Sequence, residues 1–327
     1  MLFFFLRRFL YMVIVLMVVS VIGFIVIQLP PGDFLTSYIM ELKMSGHEID
    51  KAQIESLKRQ YGLDLPIYLQ YFKWIWRMFH GDFGISFGWN LPVKELLWER
   101  LALTIVVNLF SFAFAYIGGI FIGIYSAARQ YKIGDYIFTV LGFIGLATPN
   151  FLLALILIFL FYKYLGINAV GLFSPEYLDA PWSIAKFANM LMHLPIPVVI
   201  IGTYGIAGIQ RIMRGCLLDE IRKQYVITAR AKGVSEKKLF FKYPVRVAIN
   251  PVISTMGWVF PQIISGGALV AIVLNLPTVG PLFLKALKTQ DMYLAGALMT
   301  SVCFLTVIGV FVSDVLLMLI DPRIRMD

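Results

Sequence analysis

The sequence predicts an all-α membrane protein of six transmembrane helices with both termini in the cytoplasm, and three observations carry that expectation. Of the 327 residues, 60% are hydrophobic and only 14% are charged, whereas a soluble domain carries about 25% charge. Six stretches hold no Asp, Glu, Lys or Arg: residues 9–32, 101–128, 136–162, 187–210, 247–284 and 292–313, each at least 22 residues long. The basic residues between these stretches are unevenly shared by the two sides. Segments on the side of the N-terminus hold 16 of the 28 Lys and Arg, and the other side holds four once the long stretch 33–100 is set aside. Segments beyond about 60 residues do not follow the positive-inside rule, so the asymmetry places both termini in the cytoplasm.

A hydrocarbon core roughly 30 Å thick needs about 20 helical residues at about 1.5 Å each. All six stretches meet that length. An unpaired charge at mid-bilayer costs several kcal/mol, which is why the charges collect between the spans. Strands of a membrane barrel would alternate over about 10 residues, a pattern absent here. Helices satisfy their own backbone groups in lipid and are the remaining solution.

The first span follows Arg7 and Arg8; its apolar part, 9–29, exceeds the 7–15 residues of a secretory h-region, so a retained helix is expected. Residues 1–30 form this N-terminal segment and span, and residues 31–100 form an extracytoplasmic helical insertion. In the insertion, Asp50 can cap a helix carrying Ile54, Leu57 and Tyr61 that stops at Gly62, and Pro66 suits the first turn of a second helix. Tyr68, Tyr71, Phe72, Trp74, Trp76 and Phe79 make that second helix an interfacial element or a stacking platform for solute.

Residues 101–327 form the core domain of spans two to six. Gly118, Gly119 and Gly123 in the second span allow a neighbouring helix to come close. Pro149 lies in the third, Pro195 and Pro197 in the fourth, and Pro251 and Pro261 in the fifth; proline at such depth needs neighbours or cavity water to re-satisfy the freed carbonyls. Asn275, Pro277, Gly280 and Pro281 end the fifth span near residue 275 and leave a short outer helix up to Lys288.

The chain lacks G-x-x-x-x-G-K-[ST], H-E-x-x-H, C-x-x-C and G-x-S-x-G motifs, and His47, His80 and His193 fall in three different segments. Neither a catalytic residue nor a metal site nor a cofactor is expected. Cys216 and Cys303 imply no disulfide framework. Asp314 is the one ionisable residue well inside a span, which weighs against ion-coupled transport. Neutral polar residues remain at depth: Asn108, Asn150, Gln262 and Ser265. They can line a hydrated route, or serve as interhelical hydrogen bonds.

The cytoplasmic loop 211–250 carries ten basic residues. Its pattern predicts a helix over 217–232, Gly233 as terminator after basic residues, and a second helix capped by Ser235. Thr228, Ala229, Ala231 and Gly233 leave a small-residue surface that another protein could approach.

The run Tyr225-Val226-Ile227-Thr228-Ala229-Arg230-Ala231-Lys232-Gly233, with Pro251 following 18 residues after the glycine, resembles the cytoplasmic loop of inner-membrane permeases of binding-protein-dependent ABC importers. The form is similar to that of the dipeptide/oligopeptide/nickel group, and the chain looks like the first permease of that group. Further matches are Arg7-Arg8-x-x-Tyr11, Pro31-Gly32-Asp33, Gly81-Asp82-Phe83-Gly84-x-Ser86, Thr148-Pro149, Gln290-Asp291 and Asp321-Pro322-Arg323. Departures are Ile227-Thr228-Ala229 for Glu-Ala-Ala, Tyr243-Pro244 for His-Ala, and Pro277-Thr278-Val279-Gly280 for Pro-Gly-x-Gly.

The resemblance implies a type I importer permease fold in a bacterial or archaeal cytoplasmic membrane. It implies an ATPase-coupling segment of Thr228, Ala229, Arg230, Ala231, Lys232, Gly233, Val234 and Ser235. The implied partners are a second homologous permease, two cytoplasmic ABC ATPases that hydrolyse the ATP, and an extracytoplasmic solute-binding protein. Membrane lipid is expected as a partner and nucleic acid is not. Oligopeptides and oligosaccharides are the expected solutes; the alternatives are an exporter-type permease and a nickel-chelate importer.

Overall fold

The computed structural model describes residues 2–28, 65–86, 88–89, 91–166 and 170–320. The Pro31-Gly32-Asp33 motif, the helix expected after Asp50 and the closing Asp321-Pro322-Arg323 lie outside the described residues. The chain divides into two compact units, residues 1–104 with 278–307, and residues 105–277 with 308–327.

The first unit contains α1 (Leu2–Gln28), α2 (Ile67–Phe79), the start of α3 (Val93–Ala128), α12 (Val279–Lys288) and the start of α13 (Met292–Ile320). Pro66 stands at the N-cap of α2, where a missing N–H costs nothing. Helix α2 turns Trp74 inward, where its ring sits 5.6 Å from that of Phe24 and fills the space left by Gly296. Tyr68, Phe72, Trp76 and Phe79 of the same helix are exposed. Val93, Leu97, Leu294 and Leu298 complete this core.

The second unit contains the rest of α3, followed by α4 (Ile133–Ala147), α5 (Asn150–Leu160), α6 (Ile184–His193) and α7 (Pro195–Ile221). Then come α8 (Gln224–Ala231), α9 (Glu236–Lys242), α10 (Pro244–Ser254), α11 (Met256–Val273) and the end of α13. Helix α7 is its axis: α4, α10 and α11 all pack on it, and it buries Ile200, Ile201, Ile209, Met213 and Leu217. The glycines expected to allow close approach do so. A Cβ on Gly119 would lie 2.7 Å from Ile209 and one on Gly123 2.7 Å from Met213, while Gly205 of α7 meets Ala115 in the same way. Tyr116 and Thr255 share a buried hydrogen bond of 2.8 Å between hydroxyls.

Four helices among the described residues are long and apolar enough to cross a membrane, and six crossings result if two bent pairs each count as one. The expected third span is one of these pairs. It turns by 109° between 133–147 and 150–164, because Pro149 has no N–H to donate and holds Thr148 in extended backbone. The expected fifth span bends by 52° just before Pro261. Pro195 and Pro197, placed within the fourth span by sequence, lie in the first turn of α7, where they start the helix. The charge-free stretch 187–210 is correspondingly shared by α6 and α7. His193 donates from Nδ1 to the Asn189 carbonyl at 2.8 Å, a structural hydrogen bond within α6.

Helix α7 continues past Arg211 and Arg214 to Ile221, further than hydropathy alone indicates. Burial of charge is tolerated there because the Arg214 guanidinium meets Asp135 of α4 through two bonds of 2.8 Å, Nε to Oδ1 and Nη2 to Oδ2. Tyr131 donates its backbone N–H to the same carboxylate at 3.0 Å.

Candidate functional site

The segment after α7 is built from short helices. The single helix expected over 217–232 is two helices, since the chain leaves helical geometry at Lys223 (φ −74°, ψ 149°) and restarts as α8. Glu220 is the local cause that sequence periodicity does not reveal. Its buried carboxylate accepts from Lys223 Nζ and from the Tyr225 hydroxyl, both at 2.5 Å, across the break. Burial and the neighbouring Glu220 carboxylate both push the Tyr225 phenol up from its usual range.

Helix α8 ends as predicted, at Gly233. Gly233 takes φ +79° and donates to the Arg230 carbonyl at 3.0 Å, and Val234 donates to the Ala229 carbonyl at 3.3 Å. This pair of bonds is the Schellman closure, which requires a left-handed residue after the helix. Val234 then folds back on Val226, Ala229 and Leu239, a small core beneath α8 and α9. Ser235 stands at the N-cap of α9 but makes no side-chain cap bond, contrary to expectation. The turn is closed instead by Arg230, whose Nε and Nη2 reach the Glu236 carboxylate at 2.6 and 3.1 Å. Each partner stabilises the other's charge: Arg230 holds the Glu236 carboxyl below the usual carboxylate range, and Glu236 raises the Arg230 guanidinium. The arrangement also places a cation at the end of α8 and an anion in the first turn of α9, as the helix dipoles favour.

The eight residues Thr228–Ser235 therefore separate into two sets. Ala229 faces the core and Val234 is half-buried, while Thr228, Arg230, Ala231, Lys232, Gly233 and Ser235 are exposed. Ala229 is thus a packing residue rather than part of the small-residue surface anticipated for it. Ile227, 49% exposed, joins Thr228 and Ala231 on the outward stripe.

The four neutral polar residues also lie in the second unit. Asn108 of α3 is buried, and its Oδ1 comes within 3.0 Å of where a Cβ on Gly267 would stand. Asn150, in the first turn of α5 beyond the bend, places Nδ2 3.3 Å from the same position on Gly266. Gln262, one turn before this glycine pair, and Ser265, next to it, are exposed on α11 in a stripe with Trp258 and Leu269. The structure thus brings all four onto or against one helix, which their separation in sequence does not disclose.

In the first unit, two of the motifs quoted above meet. Asp291 is fully buried; its Oδ2 accepts from the Ser86 hydroxyl at 2.5 Å and the Gly88 N–H at 3.2 Å, and its Oδ1 caps α13 through the Leu294 N–H at 3.1 Å. Groups of three or more His, Cys, Asp or Glu arranged to hold a metal are absent among the described residues.

Comparison with known sequences extends over nearly the whole chain. The family described as binding-protein-dependent transport system inner membrane component matches residues 119–326, and the N-terminal family of the same membrane component matches residues 1–108. The oligopeptide transport system permease protein AppB of Bacillus subtilis is 34% identical over 320 residues, 98% of each chain. The oligopeptide transport system permease protein OppB of Haemophilus influenzae is 30% identical over 314 residues, 95% of each chain. A putative peptide transport system permease protein of Brucella abortus is 29% identical over 313 residues, 96% of each chain.

Proposed function

The chain belongs to the binding-protein-dependent transport system inner membrane component family, a multi-pass inner-membrane permease and not itself an enzyme, and from that premise we propose that it forms half of the translocation pathway of an ATP-driven peptide importer. Peptides are preferred over oligosaccharides because relatives that align along almost their full length are named as oligopeptide and peptide permeases. In this reading each bent helix pair is one crossing, six in all, with both termini in the cytoplasm and residues 31–100 on the outer face beside an extracytoplasmic solute-binding protein.

Helix α8 and the Gly233 turn are then the knob gripped by a cytoplasmic ATPase. The observation that carries this role is the outward stripe of Ile227, Thr228 and Ala231 ending in the exposed Gly233 turn. Among the described residues α8 packs through Val226 and Ala229, on the face away from that stripe. Two ATPases closing on ATP would move this knob and its equivalent on a second, homologous permease, and so switch the spans between inward- and outward-open states. Asn108, Asn150, Gln262 and Ser265 line the route, offering hydrogen bonds to a peptide backbone without the penalty of buried charge.

Replacing Ala231 with Trp tests the coupling role in the reconstituted complex of both permeases, ATPases and binding protein. Uptake should be lost while the subunit still inserts and pairs; full uptake by this variant would refute the docking role. Peptide binding to the cognate solute-binding protein tests the substrate class, and a protein that binds oligosaccharide and no peptide would overturn it.

A further inference from the structure

Helix α8 has only eight residues, too few to be stable on its own helical propensity, and it joins α7 through the two non-helical residues Arg222 and Lys223. A load applied to the exposed stripe of such a helix would be absorbed by rotation about that joint unless something spans it. Glu220 spans it. One carboxylate oxygen takes Lys223 Nζ and the other takes the Tyr225 hydroxyl, closing a ring from the last turn of α7 to the first turn of α8. The Lys223 backbone N–H adds a bond of 3.2 Å to the Glu220 carbonyl. Glu220 is 8% exposed, and a carboxylate so placed holds its charge only while its donors stay in position. It resists opening of the joint more strongly than a solvated surface pair would.

We propose that Glu220 is a positioning residue that locks α8 to α7 through Tyr225 and Lys223, so that movement of the docked helix is delivered to the span instead of being lost at the Arg222–Lys223 joint. The proposal rests on the coupling role of α8 given above and adds what makes that role mechanically effective. At the far end of α8 the Arg230–Glu236 fork ties it to α9, and the Val226, Ala229 and Leu239 core holds its middle. Glu220 is the attachment that leads to a long helix, and α7 is in turn fixed to α4 through Arg214 and Asp135. The Tyr225 ring is partly exposed, at 37%, so its hydroxyl can be removed without touching the core.

The experiment compares Tyr225→Phe, Glu220→Gln and the double variant in the complete transporter, reconstituted in liposomes with both permeases, the ATPases and the binding protein. Three quantities are read: ATPase retained on purification, ATP hydrolysed, and solute taken up. Each single variant should keep the full complement of ATPase but lower solute moved per ATP by about tenfold, within the range by which residues between two sites alter coupling. The double variant should fall no further, as expected of groups acting through one interaction. Unchanged solute per ATP in Tyr225→Phe overturns the proposal, and so do fully additive losses in the double variant. Loss of bound ATPase from Tyr225→Phe also overturns it, since the hydroxyl would then be a direct docking contact, and the coupling role of α8 would survive. That role fails separately if Ala231→Trp retains both ATPase and uptake. Should Glu220→Gln not insert, Tyr225→Phe decides alone.

Discussion

Gly84 and Gly233 adopt nearly the same left-handed backbone, φ +81° and +79°, in two regions that use it differently. Around Gly84 the space is filled: a Cβ there would lie 2.9 Å from the Tyr293 ring. Around Gly233 nothing stands within 4 Å of that position. The same contrast runs through the two motifs to which they belong. Ser86 and Asp291 spend their polar groups on each other and on neighbouring backbone, with no exposed remainder. In the Tyr225–Gly233 motif only Ala229 and Val226 are fully inward, and the remaining side chains face out. Polar groups paired inside the chain, as those of Ser86 and Asp291 are, are explained by the fold. Side chains that point outward without packing are the ones the proposed docking role would use.

The contrast breaks first at Asp291 if it is wrong. Asp291→Ala strands the buried Ser86 hydroxyl and Leu294 N–H, each a loss of about 1–3 kcal/mol. It should give the largest drop in the thermal unfolding midpoint of the purified subunit, and an unchanged midpoint would show that water satisfies these donors. Next comes the glycine pair. Alanine at either site costs about 1–2 kcal/mol for the left-handed backbone, and Gly84→Ala adds about 1–3 kcal/mol for crowding Tyr293. Gly84→Ala should therefore destabilise more, whereas Gly233→Ala should impair uptake more than it lowers the midpoint. Equal effects of the pair on both measurements would erase the distinction between the regions.

Smaller effects sharpen it. Gln290 closes α12 at φ +55° without being glycine. Gln290→Gly should raise stability by at most about 1 kcal/mol, relief of backbone strain being partly offset by the flexibility of glycine when unfolded. The last test uses pH. Arg230 depresses the Glu236 carboxyl, so the fork's support of the turn is fully present above the ordinary carboxylate pKa of about 4.3 and disappears as pH falls through the lower folded value. Amide exchange at Gly233 and Val234, corrected for intrinsic rates, should speed up on that descent, and Glu236→Gln should remove the pH dependence.

Hydropathy made the spans legible, and glycine after a basic helical run made the Gly233 turn legible, because both depend on neighbours in the chain. The break between α7 and α8 was not legible. It depends on Glu220 reaching Lys223 and Tyr225, three residues that read as ordinary polar positions of one continuous helix. The meeting of Asp291 with Ser86 was equally hidden, since the two are separated by 205 positions. A faint signal existed for Asp135: a lone acid opening an apolar helix needs a cation, and Arg214 supplies it.

By itself the sequence determined that this chain lives in a bilayer, which segments are apolar and long enough to cross it, and where the Gly233 turn ends its helix, because solvation and backbone geometry act residue by residue. Only the tertiary structure decided that Pro149 turns its span by 109°, that Ala229 faces inward, and that four scattered polar residues gather on or against α11. Those outcomes depend on which surfaces remain once distant helices have packed, and no local pattern contains that information.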